Sequence, residues 1–406
     1  AASLGPLPGP VHINVPLREP LLPVMPPAPL PATAGRIKHC PSRPTPTPET
    51  VTAIEAIVSS GNGAIVCGTD DLGPGFHRAV IDLAEHLRVP ILADILSGVR
   101  GAGAGGSVPL AHPDQVVRTA PAPDWLLRFA GSPVSRATAD WLGRCKGRPQ
   151  VVVADHPRLA DPGGGATHVV RADAAALCRM LVGRPAALGW LESFQELDRR
   201  ADQAAAALCA DDGAFEGTLL RRLIRSLPPE TALFLGNSLT VRAAEWFSGR
   251  SPARLRLFGN RGVSGIDGNL STAFGIAAGL GAAVAVVGDL ALLHDLNALA
   301  LGTTHRLVVV VLDNGGGGIF DHLPQSGLPE YQEGWLTPQP LSPAGAAQAF
   351  GLDYAKADGV GAAVDTVLAA LGRPGSALVH LTIDRAASLA RCRQFQSIHL
   401  HGESGS

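Results

Sequence analysis

Two oxygen-bearing residues, Asp289 and Asn314, each close an apolar run in the stretch GDLALLHDLNALALGTTHRLVVVVLDN (288–314), and four glycines, Gly315 to Gly318, come next. A carboxylate, an amide oxygen and a glycine turn offering backbone carbonyls make a hard-oxygen donor set. Mg²⁺ prefers such a set and usually shares it with phosphate oxygens of a bound molecule. Glycines lack Cβ, so backbone can approach a diphosphate closely and adopt dihedrals closed to other residues. Taken singly, Asp289 or Asn314 would serve equally well as a helix or turn cap. The ordered combination of G-D, a helix and a strand, D-N and a glycine run is far more restrictive than either residue alone.

Elements with particular ends must place these groups. AVAVVGD and LVVVVLDN are near-continuous apolar runs of the kind that form central parallel strands, and LLHDLNALALG between them reads as a crossover helix. Asp289 and Asn314 then lie just past the C-terminal ends of two strands in one βαβ unit, where open α/β sheets place ligands. Elsewhere AIVCG, PILADIL, WLLRFA, QVVVAD and THVVRAD alternate with helical patterns between about Thr50 and Val182. ALFLGN, RLRLFGN and SALVHLTID continue the rhythm further on. The expected fold class is α/β, with two doubly wound parallel-sheet domains. The expected division is a central domain over 50–190, a connecting helix over 191–211, a second α/β domain over 212–395 and a tail over 396–406. Residues 1–49 contain 14 of the 34 prolines and are expected to be the end of a further domain plus a proline-rich linker. Within them GPVHINVPL (9–17) alternates like a strand, the expected end of that domain.

The totals exclude several function classes. Lys plus Arg number 33 against 35 Asp plus Glu, so no global basic field favours nucleic acid or anionic lipid. The apolar stretch AFGIAAGLGAAVAVVG (273–288) is shorter than the roughly 20 residues a bilayer span needs and is expected to be a helix end plus a buried strand, so no stable membrane insertion is expected. Cysteines at 40, 67, 145, 178, 209 and 392 form no C-x-x-C pair and no zinc-like cluster; a reducing cytoplasm is expected. The chain opens AASLGPLPGP, without Met or a signal peptide, and is expected to be a fragment.

The metal-type motif resembles that of the thiamine diphosphate decarboxylase and synthase superfamily. GNSLTVRAAEW (236–246), GNRGVSGIDGNLSTAFGIA (259–277), RFAGSPVSRATADWL (128–142), GPVHINVPLREPL and GGGGIFDHLP narrow the resemblance to the 2-succinyl-5-enolpyruvyl-6-hydroxy-3-cyclohexene-1-carboxylate synthases of menaquinone biosynthesis. It spans essentially the whole chain. The resemblance implies thiamine diphosphate with Mg²⁺ (Mn²⁺ as an alternative) and a transferase that decarboxylates 2-oxoglutarate and adds its succinyl unit to isochorismate. It also implies a homodimer or homotetramer, because the family seats its cofactor between subunits. Asp289, Asn314 and the Gly316 carbonyl resemble the metal ligands. Ile266 resembles the apolar side chain that bends the cofactor, and Ile319 and Phe320 the wall beside the thiazolium. Asn237, Ser238 and Arg242 resemble the holders of a succinyl carboxylate, Arg261 a substrate-site arginine, and Arg136 stands where the family usually has Lys. Ser238, Arg242 and Arg261 are thereby implied in catalysis.

Two dicarboxylate substrates need fixed cations, and guanidinium groups bind carboxylates with paired hydrogen bonds. A lone Arg on a loop or helix start is otherwise a solvated charge. The chain departs from the family at Gly315 and Asp313, where relatives often carry Asn. Family members also begin with a domain bearing a glutamate for the aminopyrimidine, and without it this chain alone is expected to have little synthase activity. Rival readings are an acetohydroxyacid synthase-like enzyme, a non-catalytic diphosphate-binding module and a nicotinamide dehydrogenase. GTDDLGPGFHR and GAGAGG are not clean dinucleotide fingerprints, which counts against flavin and nicotinamide. His294, His305 and His322 read as surface or loop histidines, and Trp246 and Trp335 as packing.

Overall fold

A computed structural model describes residues 11–19, 21–22, 42–69, 72–73, 75–100, 108–156, 158–252, 254–398 and 400. Parallel sheets organise two units. In the first, β1 (Gly63–Cys67), β2 (Ile91–Ala93), β3 (Trp125–Phe129), β4 (Gln150–Ala154) and β5 (His168–Arg171) lie in the order β2-β1-β3-β4-β5. In the second, β6 (Ala232–Leu235), β7 (Arg256–Phe258), β8 (Ala283–Gly288), β9 (Leu307–Asp313), β10 (Asp353–Lys356) and β11 (Ala377–Thr382) lie in the order β10-β11-β9-β8-β6-β7. Every pairing between these strands is parallel. The expected class of two parallel α/β sheets is therefore observed.

The all-apolar β8 and β9 follow from burial on both faces. Val284, Val286, Val308 and Val310 enter one core with helices Glu216–Ser226, Leu239–Phe247 and Val360–Leu371. Ala285, Val287, Val309 and Val311 enter the opposite core with helices Asn269–Leu280 and Pro343–Phe350. The period-2 alternation thus sends successive side chains to two different cores, so neither face tolerates a polar residue. The 273–288 stretch is the end of helix Asn269–Leu280 plus β8, as its length required.

Chain order sets the place of the site. From β6 the chain moves outward to β7 and then returns to the other side of β6 with β8. Crossovers therefore diverge between β6 and β8, and the crevice above that point opens at the strands' C-terminal ends. Register pairs Gly288 with Leu312, which brings Asp289 and Asn314 to adjacent strand ends.

The long helix Trp190–Leu208 joins the two units: Phe194, Leu197 and Ala201 pack with Leu92 and Trp141, while Ala205 packs with Phe215 and Leu219. A buried ion pair, Arg100 Nη2 to Glu245 Oε2 at 2.7 Å, adds a second link. Glu245 Oε2 also accepts the Ile95 N–H at 2.9 Å, and Arg100 donates to the Ala93 and Glu245 carbonyls.

Two local readings change. Residues 11–17, within the stretch that alternates like a strand, form no strand and are exposed, so alternation without a paired neighbour does not make a strand here. The crossover helix is split into an α-helical turn, Asp289–His294, and a 3₁₀ segment, Leu296–Thr303. At the break, Asp295 is drawn aside to accept hydrogen bonds from Ser271 N (2.6 Å) and Oγ (2.9 Å). The proline-rich run 23–41, GAGAGG (101–106), Cys40 and the last six residues lie outside the described residues. No helix among the described residues is long and apolar enough to cross a membrane. Among them, five cysteines are free and buried.

Candidate functional site

One cavity of about 330 Å³ opens at the C-terminal ends of β6, β8 and β9, and Asn237, Ser238, Arg242, Arg261, Ile266, Asp289, Asn314, Gly316, Ile319 and Phe320 all line it. Ten sequence-selected residues from four separated segments thus converge. Arg136 does not join them: it opens the helix Arg136–Arg144, its side chain is 88% exposed, and its Nε pairs with Asp140 at 2.8 Å. An i,i+4 partner on a solvent-facing helix surface accounts for that charge.

The oxygen donors come first. Asp289 opens the helical turn after β8 and is buried. Burial pushes its carboxyl up to about 6, the nearby Asp313 charge adds to the effect, and the Leu290 and Gly316 N–H groups oppose it. Asn314 Oδ1 is buried and has no hydrogen-bond partner. An unpartnered amide oxygen beside a carboxyl denied solvent is an arrangement that a hard cation satisfies.

The glycines are demanded by space. At Gly316, with φ at +131°, a Cβ would lie 2.3 Å from the Leu336 carbonyl oxygen. A Cβ on Gly318 would lie 2.8 Å from Asn314 Nδ2. The turn is further pinned by Gly317 N–H donating to Leu336 O at 2.7 Å. Among the described residues no three or more His, Cys, Asp and Glu gather as a metal cluster. The donor set here is instead one carboxylate, one amide oxygen and one carbonyl, and it fits Mg²⁺ bound together with a diphosphate rather than a soft metal.

Behind Asp313 stands a chain of side chains. His380 Nε2 lies 3.0 Å from Asp313 Oδ2, its Nδ1 lies 3.0 Å from the Tyr354 hydroxyl, and Asp313 Oδ1 accepts the Gly315 N–H at 3.2 Å. The turn that presents Asn314 is therefore held from two neighbouring strands, β10 and β11.

The cations occupy another part of the lining. Arg242 lies in the helix Leu239–Phe247 and donates from Nη1 to Ser238 O at 2.7 Å. Burial, with Arg261 close by, lowers its pKa. Arg261 Nη1 donates to Asn237 Oδ1 at 2.7 Å, and Asn237 Nδ2 donates to Gly265 O at 2.7 Å. Among the described residues neither arginine has a carboxylate partner within ion-pair distance. Both guanidinium groups are half-buried, and although the Asp94 charge is felt by Arg261, neither cation is paired at close range, so an anion entering the cavity would be favoured there. Ser238 caps this helix at φ +69°, a conformation costly for a side-chain-bearing residue and concentrated at functional sites.

Apolar side chains complete the lining. Ile266 is fixed by its own carbonyl, which accepts from Asn269 Nδ2 at 2.6 Å. Phe320 meets Trp335 edge-on at 5.3 Å, so this tryptophan packs. Trp246 packs with Phe247 and against His322, and burial lowers the pKa of that histidine. His322 is thus half-buried rather than a free surface residue. Sequence reasoning missed Glu216, Leu312 and Ile383 in the lining. Leu312 stands in the run LVVVVLDN and could have been found there, whereas Glu216 and Ile383 carry no spacing signal.

Comparison with known proteins sharpens this geometry. Residues 47–235 match the model of the middle domain of thiamine pyrophosphate enzymes, and residues 240–381 match that of the C-terminal thiamine pyrophosphate-binding domain. Fold and site together define a thiamine pyrophosphate enzyme chain. The 2-succinyl-5-enolpyruvyl-6-hydroxy-3-cyclohexene-1-carboxylate synthase of Dechloromonas aromatica (strain RCB) is 39% identical over 362 residues, covering 86% of this chain and 64% of that protein. The synthase of the same name from Rubrobacter xylanophilus (strain DSM 9941) is 35% identical over 419 residues, covering 98% of this chain and 71% of that protein. That from Geobacillus thermodenitrificans (strain NG80-2) is 37% identical, covering 87% and 63%. This chain belongs to the family of 2-succinyl-5-enolpyruvyl-6-hydroxy-3-cyclohexene-1-carboxylate synthases, and it spans a little under two thirds of the length of the first and last of these three relatives.

Proposed function

We propose that this chain binds thiamine diphosphate through Mg²⁺, with Mn²⁺ as a substitute, and serves the decarboxylation of 2-oxoglutarate and addition of its succinyl unit to isochorismate in menaquinone biosynthesis. One observation carries the reading: a single cavity contains both an oxygen set suited to a metal diphosphate and a pair of half-buried guanidinium groups with, among the described residues, no carboxylate within ion-pair distance. Neither feature alone distinguishes this reaction from its rivals.

Asp289, Asn314 and the Gly316 carbonyl would hold the metal and, with it, the diphosphate. Bound thiamine diphosphate supplies the electron sink on which a 2-oxo acid loses CO₂. Ile266, Ile319 and Phe320 exclude water and set the apolar wall against which the cofactor rests. Arg242 and Arg261 draw in carboxylates and orient them by paired hydrogen bonds, with Asn237 fixing the Arg261 head and Ser238 fixing that of Arg242. Arg136, exposed and paired with Asp140, is left out of the proposed machinery.

On family grounds we assign a dimer or dimer of dimers, and the free buried cysteines support a reducing compartment such as the cytoplasm. The deciding experiment is calorimetric titration of thiamine diphosphate with Mg²⁺ into Asp289→Ala: binding should vanish. Unaltered affinity would reject the ligand assignment. Faster turnover of pyruvate than of 2-oxoglutarate would favour the acetohydroxyacid synthase-like rival.

A further inference from the structure

The cavity is also lined by Glu216, the first residue of helix Glu216–Ser226, which is only 3% exposed. Its Oε1 accepts a hydrogen bond from Ser388 Oγ on helix Arg385–Ser397, and its Oε2 is buried with no hydrogen-bond partner. A core acid retained for packing alone has both oxygens satisfied, and this one has a single oxygen satisfied.

Burial raises the pKa of the carboxyl, opposed only by the Ser388 hydroxyl and by its own backbone N–H at the helix start. No cation contributes. Oε1 takes the Ser388 proton, which leaves Oε2 buried on its own. Among the described residues no protein group is hydrogen-bonded to that oxygen.

We propose, resting on the reading above, that Glu216 contacts the substrate: its unpaired Oε2 meets, through one shared proton, the carboxylate of the 2-oxo dicarboxylate distal to its keto group. Arginines attract any anion, whereas a buried, unpaired carboxyl oxygen rewards only a ligand with an oxygen at that place. A site built to hydrogen-bond one group rejects analogues that lack it, because its own polar group is then left unmatched. Glu216 is in this way a specificity-determining residue.

Glu216→Leu and Glu216→Gln test this in the protein as encoded, saturated with thiamine diphosphate and Mg²⁺. Gln keeps an acceptor for Ser388 and an N–H donor toward the cavity; Leu keeps neither. Glu216→Leu should raise KM for 2-oxoglutarate about 10- to 100-fold with kcat little changed, which is the loss of one hydrogen bond to a charged group. KM for pyruvate, which has no distal carboxylate, should stay within about threefold, and Glu216→Gln should restore most of the affinity for 2-oxoglutarate. The inference is overturned if Glu216→Leu leaves both KM values unchanged, if it worsens both equally, or if Gln is as damaged as Leu. Calorimetry of thiamine diphosphate binding to the same variants separates the two claims. Normal cofactor binding with no KM effect refutes Glu216 alone, whereas cofactor affinity that survives Asp289→Ala refutes the underlying function.

Discussion

Arg242 should be worth far more to substrate binding than to folding, and Arg242→Met separates the two. The guanidinium is half-buried, lies near Arg261 and gives one Nη1 donor to Ser238 O, which leaves Nε and Nη2 for a carboxylate. A hydrogen bond to a charged group contributes about 1.5–3 kcal/mol, so losing a bidentate pair removes about 3 kcal/mol at the low end. At roughly 1.4 kcal/mol per tenfold, that is about a 100-fold rise in KM for 2-oxoglutarate. Folding responds in the opposite sense. Met fills a similar stem volume and removes a desolvated cation facing another cation, so the ligand-free thermal midpoint should hold or rise. Arg242→Lys keeps the charge but not the planar fork and should fall between, near tenfold. Steady-state kinetics at saturating cofactor and calorimetric melts of the ligand-free protein provide the two readouts. A KM within threefold of the parent would refute the substrate role, and a large fall in the midpoint would show that the guanidinium serves the fold.

Three further outcomes follow from the geometry. Burial, with Asp94 and Asp114 nearby and only Arg100 and a backbone N–H opposing, pushes Glu245 from its ordinary 4.5 up to about 7. A raised acid holds its proton in the folded state, so its stabilising contribution is fully present below about pH 4.5 and lost as pH rises through about 7; Glu245→Gln should flatten that decline in a pH series of denaturant melts. Gly316→Ala should destabilise by about 2–3 kcal/mol and weaken cofactor binding, since an added Cβ meets the Leu336 carbonyl and φ is +131°; an unchanged melt would show the turn to be more plastic. His380→Ala should weaken thiamine diphosphate binding roughly tenfold by calorimetry through release of the Asp313 side chain, while far-ultraviolet circular dichroism stays the same.

How much of this was legible in the sequence depended on the range of the interaction. β8 and β9 announced themselves because strands buried on both faces admit only apolar residues, and Asp289 and Asn314 were legible because a strand end followed by a polar residue is a local signal. β10 was not: Asp353–Lys356 is an edge strand with exposed charged ends, and its pairing with β11 supplies what its composition does not. Glu216 and Glu245 escaped for another reason. Their partners, Ser388 and Arg100, lie 172 and 145 residues away, and no short-range pattern encodes a contact closed by tertiary packing. Arg136 lies away from the ten residues that converge: helix phase turns its side chain to solvent, where Asp140 pairs with it, and the PVSR run by itself carries no information about that placement.

Asp313, the residue before Asn314, is held by partners of its own. A carboxylate has no proton to give, so His380 Nε2 must donate to it, which leaves Nδ1 to accept from the Tyr354 hydroxyl. The acid is therefore matched to a histidine on β11, the adjacent strand, in a register that pairs Thr382 with Asp313. With Oδ2 held by His380 and Oδ1 by the Gly315 N–H, the Asp313 side chain is fixed at the end of β9, and the turn that follows presents Asn314 with its amide oxygen unpartnered, the property a cation ligand needs.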